Sequence, residues 1–228
     1  MIQQKFAFPE FARPLFSDVV AMAWTDPRAP MPRLIGDEVL AVEQVSAARA
    51  REFGAGRAAA HAAMELLGHV PRPVLQGEDR APVWPLGLKG SITHTDRDCL
   101  AVVTDAPEIV ALGLDLEPMS PLEPSLWPVI CTSSEIDWLA GLGPSQRGHF
   151  AKLVFCAKEA VYKAQYQLSR TMLDFQALEL SFDLSAGQFS ARFRVDAPGF
   201  KAGTLIPGRF AILSNSVFAA VELHAETI

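Results

Sequence analysis

The strongest constraint on how this chain folds lies between residues 148 and 168, where Phe150, Leu153, Val154, Ala157, Val161, Ala164 and Leu168 fall within one narrow arc of a helical wheel. A stripe of that length needs a surface to cover it, and the flanking sequence offers strands. Leu178, Leu180, Phe182 and Leu184 alternate with other positions, as do Phe189, Ala191, Phe193 and Val195, and Ser185-Ala186-Gly187-Gln188 between the two runs reads as a hairpin turn. Phe210 to Leu213 and Val217 to Leu223 predict a closing hairpin. Upstream, residues 19–24 predict a short buried strand, ended by the proline-rich loop Thr25 to Pro32. A helical region from about Asp37 to Leu67 carries Phe53, Ala60, Met64 and Leu67 on one side; Gly68 is its stop signal, and Gly54 and Gly56 are candidate break points. Pro71 to Gly90 predicts an ordered loop, Cys99 to Thr104 and Val110 to Glu117 predict strands, and a short helix is expected between Ser133 and Leu142. Each half therefore holds one long helix and a small set of strands. That pattern predicts an α+β fold of two similar lobes, residues 1–109 and 110–228, with the cleft between them as the natural place for a ligand.

Composition removes several function classes. A chain of 228 residues that is 50% hydrophobic can bury a substantial core. A net charge of -6 argues against a general nucleic-acid footprint, so any anion must be held by a local basic pocket. Cys99, Cys131 and Cys156 form neither a bridge ladder nor a zinc spacing, which suits a reducing cytoplasm. The start, Met1 to Glu10, has no apolar run of signal-peptide length, and no stretch reaches the length of a membrane helix, so a soluble, cytoplasmic protein is expected.

Three segments could carry chemistry. In Leu112-Gly113-Leu114-Asp115-Leu116-Glu117, strand alternation puts Asp115 and Glu117 on one face with Gly113, about 7 Å apart along the backbone. Paired carboxylates suit a hard cation such as Mg²⁺; a solvated strand edge is the plainer alternative. On the helix, Glu159 and Lys163 are four residues apart, opposite the apolar stripe with Lys152, Phe155, Tyr162 and Tyr166 nearby. They read either as a surface salt bridge or as a covered acid and base that need partners. The third segment, Trp84-Pro85-Leu86-Gly87-Leu88-Lys89-Gly90-Ser91-Ile92-Thr93-His94, combines glycines with hydroxyl and imidazole donors, which could cradle phosphate, although His94 could equally be structural. Arg57 falls inside the stripe of Phe53, Ala60 and Met64, where a cation must snorkel out, pair with an acid or meet an anion. His61, His69, His149 and His224 show no partner pattern.

Taken together, four segments in order resemble the larger, single-chain 4'-phosphopantetheinyl transferases, the enterobactin-synthase-component-D group. They are Arg51-Glu52-Phe53 with Gly56-Arg57-Ala58-Ala59, the Trp84 to His94 run, Gly113 to Glu117, and Phe155-Cys156-Ala157-Lys158-Glu159-Ala160-Val161-Tyr162-Lys163. Cys156, where serine is common, and Asp96 depart from the usual pattern. The resemblance implies two fused lobes forming a monomeric internal pseudo-dimer with the active site between them. It implies that Asp115, Glu117 and Glu159 hold Mg²⁺, that Lys163 contacts the coenzyme A diphosphate, and that Thr93 and His94 contact its phosphates. It also puts Arg51 and Arg57 on the 3'-phosphate and Arg80 beside the adenine. The implied reaction moves phosphopantetheine from coenzyme A onto a serine of an apo acyl, peptidyl or aryl carrier protein, in siderophore, nonribosomal-peptide or other secondary-metabolite biosynthesis, with no enzyme nucleophile. A non-catalytic coenzyme A or nucleotide-binding regulator of the same fold, and a metal-dependent phosphohydrolase, are the rival readings.

Overall fold

The structure, a computed structural model, describes residues 15–227; the amino-terminal stretch Met1 to Glu10 considered above lies outside them. The chain divides into two units, one ending at Ile109 and the other beginning at Val110.

In the first unit, β1 (Ala21–Thr25), β4 (Lys89–His94) and β5 (Cys99–Thr104) form an antiparallel sheet in the order β1-β5-β4. Register runs from Ala21 opposite Val103 to Thr25 opposite Cys99, and from Lys89 opposite Thr104 to His94 opposite Cys99. The central strand β5 is buried along its whole length, as its continuous apolar run requires. Helix α1 (Ala47–Leu66) covers this sheet with Ala59, Ala60, Ala63 and Met64, packed with Ala23, Ala101 and Val103.

The long helical region expected from Asp37 is thus two elements. A 3-10 helix occupies Gly36–Val42, and α1 begins after Ser46, whose side chain accepts a hydrogen bond from the Arg49 N–H at 3.2 Å. Gly54 and Gly56 do not break the helix. They are close-packing positions, facing Pro32 and Ile92 respectively at distances that leave little room for a side chain. The segment read as a loop contains a small hairpin, β2 (Leu75–Gln76) paired with β3 (Pro82–Val83).

In the second unit, five strands lie in the order β6-β10-β9-β8-β7: β6 (Ile109–Pro118), β7 (Leu178–Asp183), β8 (Gln188–Phe193), β9 (Leu205–Ile212) and β10 (Ser216–His224). The pairs β7/β8, β8/β9 and β9/β10 are antiparallel. Two short helices, α2 (Trp127–Ile130) and α3 (Ser133–Ala140), precede the 26-residue α4 (Pro144–Ser169). The predicted stripe meets the sheet: Leu153, Val154, Ala157, Val161 and Ala164 are fully buried against Ala191, Phe193, Val217 and Ala219, while Leu168 ends the stripe exposed. Each unit is therefore a long helix on an antiparallel sheet, an α+β plan. Among the described residues, no helix is long and apolar enough to cross a membrane.

Candidate active site

Strand β6 places Gly113, Asp115 and Glu117 on one face, and that face looks toward α4. A side chain at Gly113 would meet the Ala160 carbonyl carbon at 2.9 Å and Ala164 Cβ at 3.1 Å, so glycine is what allows helix and strand to lie this close. The helix is then stitched to the strand by side chains one turn apart. Lys163 Nζ donates to Leu114 O at 3.1 Å and to Asp115 Oδ1 at 2.7 Å, and Gln167 Nε2 donates to Leu112 O at 2.6 Å. Asp115 is 4% exposed, which rules out the solvated strand edge. The surface salt bridge is likewise replaced, because the Lys163 ammonium is engaged with Asp115 across the helix–strand gap.

Glu117, half-buried, accepts from Lys152 Nζ at 3.1 Å. Burial pushes its carboxyl above the ordinary range, the charge of Asp115 pushes it further, and Lys152 and Lys163 draw it back. Glu159 behaves similarly: burial raises it first, then Asp115, with Lys163 opposing and Glu117 adding to the rise. For Lys163, burial alone would depress the ammonium, but Asp115 and Glu159 raise it overall. Three carboxylates and two lysines, remote in sequence, thus share one electrostatic neighbourhood on β6 and α4.

The donor set fits a hard divalent cation, which prefers carboxylate oxygens and would offset the burial, and secondarily the charge of Asp115, that hold Glu117 and Glu159 toward protonation. Lysines meet Asp115 and Glu117 here, and among the described residues no group of three or more His, Cys, Asp or Glu side chains is gathered as a ready ligand shell.

The other predicted residues belong to the first unit. Arg51 is exposed and lines an open cavity of about 460 Å³ with Arg28, Glu52, Thr95 and Asp96. Thr93 is buried and His94 exposed at the end of β4. Of the glycines before them, Gly87 lies in a turn at φ +86, while Gly90 is on β4 and leaves room for the Trp84 ring. Arg80 is exposed in the β2–β3 turn at φ +66. Arg57 is buried: its Nε donates to Val74 O at 2.6 Å and Nη2 to Leu75 O at 3.3 Å, and burial lowers its pKa to about 10. Its partners are main-chain carbonyls, a fourth possibility beyond snorkelling, an acid or an anion.

Sequence reasoning missed Lys158 as a structural centre. Its Nζ lies 2.8 Å from each of Glu135 Oε2, Ile130 O and Phe175 O, with both charged side chains 1% exposed. Glu135 also accepts from Thr132 N at 2.7 Å and Leu180 N at 2.7 Å. The signals were legible: Lys158 shares the helical arc of Val154 and Val161, and Thr132-Ser133-Ser134-Glu135 is a capping box.

A family model described as the 4'-phosphopantetheinyl transferase N-terminal domain matches residues 37–104, and one described as the 4'-phosphopantetheinyl transferase superfamily matches residues 111–204. 4'-Phosphopantetheinyl transferase Svp of Streptomyces mobaraensis is 37% identical over 211 residues, covering 91% of this chain and 86% of that protein. The chain belongs to the 4'-phosphopantetheinyl transferase superfamily. Two further relatives are 4'-phosphopantetheinyl transferase PptT of Mycobacterium tuberculosis, 29% identical over 92% of this chain and 94% of that one, and enterobactin synthase component D of Escherichia coli (strain K12), 35% identical over 57% and 62%. Within this member of the superfamily, Asp115, Glu117, Glu159 and Lys163 fall in the second matched segment, and Arg51, Arg57, Arg80, Thr93 and His94 in the first.

Proposed function

We propose that this chain transfers the 4'-phosphopantetheine group of coenzyme A to a serine of an apo carrier protein, releasing adenosine 3',5'-bisphosphate. The observation that carries the proposal is the Lys163–Asp115 ion pair that joins α4 to β6, with Glu117 and Glu159 near enough for the charge of Asp115 to raise them, acids and a cation suited to a metal-bound diphosphate. Asp115, Glu117 and Glu159 would hold Mg²⁺, which supplies charge neutralisation to the diphosphate when bound. Lys163 exchanges Asp115 for a diphosphate oxygen while its bond to Leu114 O keeps it in place. The serine oxygen forms a bond to the β-phosphorus, the bond from that phosphorus to the bridging oxygen of the leaving nucleotide breaks, and Glu159 accepts the serine proton.

No enzyme nucleophile is needed. The candidate thiols are unsuited to the role, since burial pushes Cys131 up to about 12 and Cys156 well above its ordinary value. At the nucleotide end, Arg51 meets the 3'-phosphate from the surface, with Arg57 contributing only donors left over from Val74 and Leu75. Arg80 lies beside the adenine, and Thr93 and His94 contact phosphate oxygens. Relatives named enterobactin synthase component D favour a peptidyl or aryl carrier in siderophore biosynthesis, and three buried cysteines that form no disulfide suit a cytoplasmic setting.

Incubation with coenzyme A, Mg²⁺ and a panel of apo carriers, followed by mass spectrometry, tests the reaction. One carrier should gain a single phosphopantetheine. Glu159→Gln should abolish the gain without unfolding the protein, and full activity in that variant would reject its role as proton acceptor. Tight coenzyme A binding with every carrier unmodified would reject transfer.

A further inference from the structure

Besides the Lys158–Glu135 pair, buried charge outside the β6–α4 site gathers where α1 and the 3-10 helix meet Val74 and Leu75 at the start of the β2–β3 hairpin. Glu38, on the 3-10 helix Gly36–Val42, is 0% exposed. Its Oε2 accepts from Ile35 N at 2.8 Å, while Oε1 accepts from Val74 N at 2.8 Å and lies 2.8 Å from His61 Nε2. One turn before His61 on α1, Arg57 holds Val74 O and Leu75 O and packs 4.0 Å from the Phe53 ring centroid. Two ionisable side chains from two elements, Glu38 with His61 behind it and Arg57, therefore grip both main-chain polar groups of Val74 and the carbonyl of Leu75.

What they grip cannot hold itself. The hairpin has two paired positions, Leu75 with Val83 and Gln76 with Pro82, and so short a ribbon is not stable alone in water. Its turn also stores strain, because Arg80 adopts a left-handed backbone that disfavours any side chain bearing a Cβ. A buried carboxylate is a costly way to fill an apolar core, and it persists where its hydrogen bonds fix something that shape alone would not. Here that something is the root of the turn that presents Arg80.

We propose that Glu38 and His61, with Arg57, are positioning residues for the nucleotide end of coenzyme A: they clamp Val74–Leu75 and so aim the hairpin that carries Arg80. This rests on the reading that Arg80 meets the adenine. The test uses the full chain, with coenzyme A binding measured by calorimetry and transfer by steady-state kinetics. Glu38→Leu and His61→Ala should each raise Kd and KM for coenzyme A about tenfold, with kcat and KM for the carrier within about twofold. His61→Gln, whose amide can still donate to Glu38, should recover most of the affinity. Arg80→Ala should lose affinity too, and adding Glu38→Leu to it should cost little more, because both act through one contact. Where Glu38→Leu fails to fold, Glu38→Gln carries the same comparison.

Variants that lose thermal stability yet bind coenzyme A within about twofold of wild type, below their unfolding midpoints, overturn the proposal in favour of a purely structural clamp. Fully additive losses with Arg80→Ala overturn it as well. A wild-type chain that binds no coenzyme A would overturn the functional reading and this one together, whereas normal wild-type binding with unaffected variants overturns this one alone.

Discussion

Replacing Gly113 by alanine should separate Asp115 from Lys163 while leaving the protein folded. The added Cβ would sit 2.9 Å from the Ala160 carbonyl carbon and 3.1 Å from Ala164 Cβ, and closer still to the Ala160 carbonyl oxygen. Comfortable non-bonded carbon contacts lie near 3.5–4.0 Å, so α4 and β6 must part by on the order of 1 Å. The bonds spanning that gap, Lys163 to Asp115 at 2.7 Å and to Leu114 at 3.1 Å, and Gln167 to Leu112 at 2.6 Å, would stretch to or beyond hydrogen-bonding range. Overpacking of this kind costs about 1–3 kcal/mol, a tolerable fraction of an ordinary domain's 5–15 kcal/mol or so. A displacement near 1 Å at reacting groups costs about 100-fold in rate. Urea unfolding and mass-spectrometric transfer assays on the same preparation read both quantities. A Gly113→Ala protein with a transfer rate within about threefold of wild type would refute the argument that this close approach sets the site.

Other expectations follow from the buried charges. Lys158→Met strands Glu135 without its cation and should destabilise the protein by about 3–5 kcal/mol in urea titrations, whereas pairing it with Glu135→Leu should recover part of that loss. Cys99, Cys131 and Cys156 are all buried and unbridged, so Ellman's reagent at pH 8 should find no fast-reacting thiol in the native protein and three after denaturation. Burial alone would raise Glu38, but hydrogen bonds from His61, Ile35 N and Val74 N outweigh it and leave its pKa below the ordinary 4.5. A depressed folded-state value means its contribution to stability is present above 4.5 and fades as pH falls through the folded value. Glu38→Gln should therefore flatten the acid side of the stability–pH curve; an unchanged slope would contradict this.

Periodicity carried most of the fold. The stripe from Phe150 to Ala164 and the alternation in Leu178 to Phe193 depend on local spacing, which is why α4, β7 and β8 could be read directly. The break between Gly36–Val42 and α1 was not read, and Gly54 and Gly56, which look like interruptions, lie inside the continuous α1 against Pro32 and Ile92. At the site, Asp115, Glu117, Glu159 and Lys163 were legible as residue types at telling positions, but their pairing was not. Glu159 with Lys163 is the contact that spacing suggests, while Lys163 with Asp115 needs the closeness of β6 and α4. Arg57 was recognised as a cation within an apolar stripe, yet carbonyl partners leave no trace in side-chain letters. Glu38 and His61 stand 23 positions apart with nothing periodic to connect them.

The knot at Lys158 has a practical corollary for anyone reshaping this protein. A helix lined with alanines and valines could slide by a residue at modest expense, but one bearing a single cation satisfied by α2, α3 and the turn at Phe175 is keyed like a splined shaft. Inserting or deleting a residue within Pro144–Ser169 would throw that key out of its slot. Grafts and permuted ends belong instead in surface turns such as 184–187, where no such register is at stake.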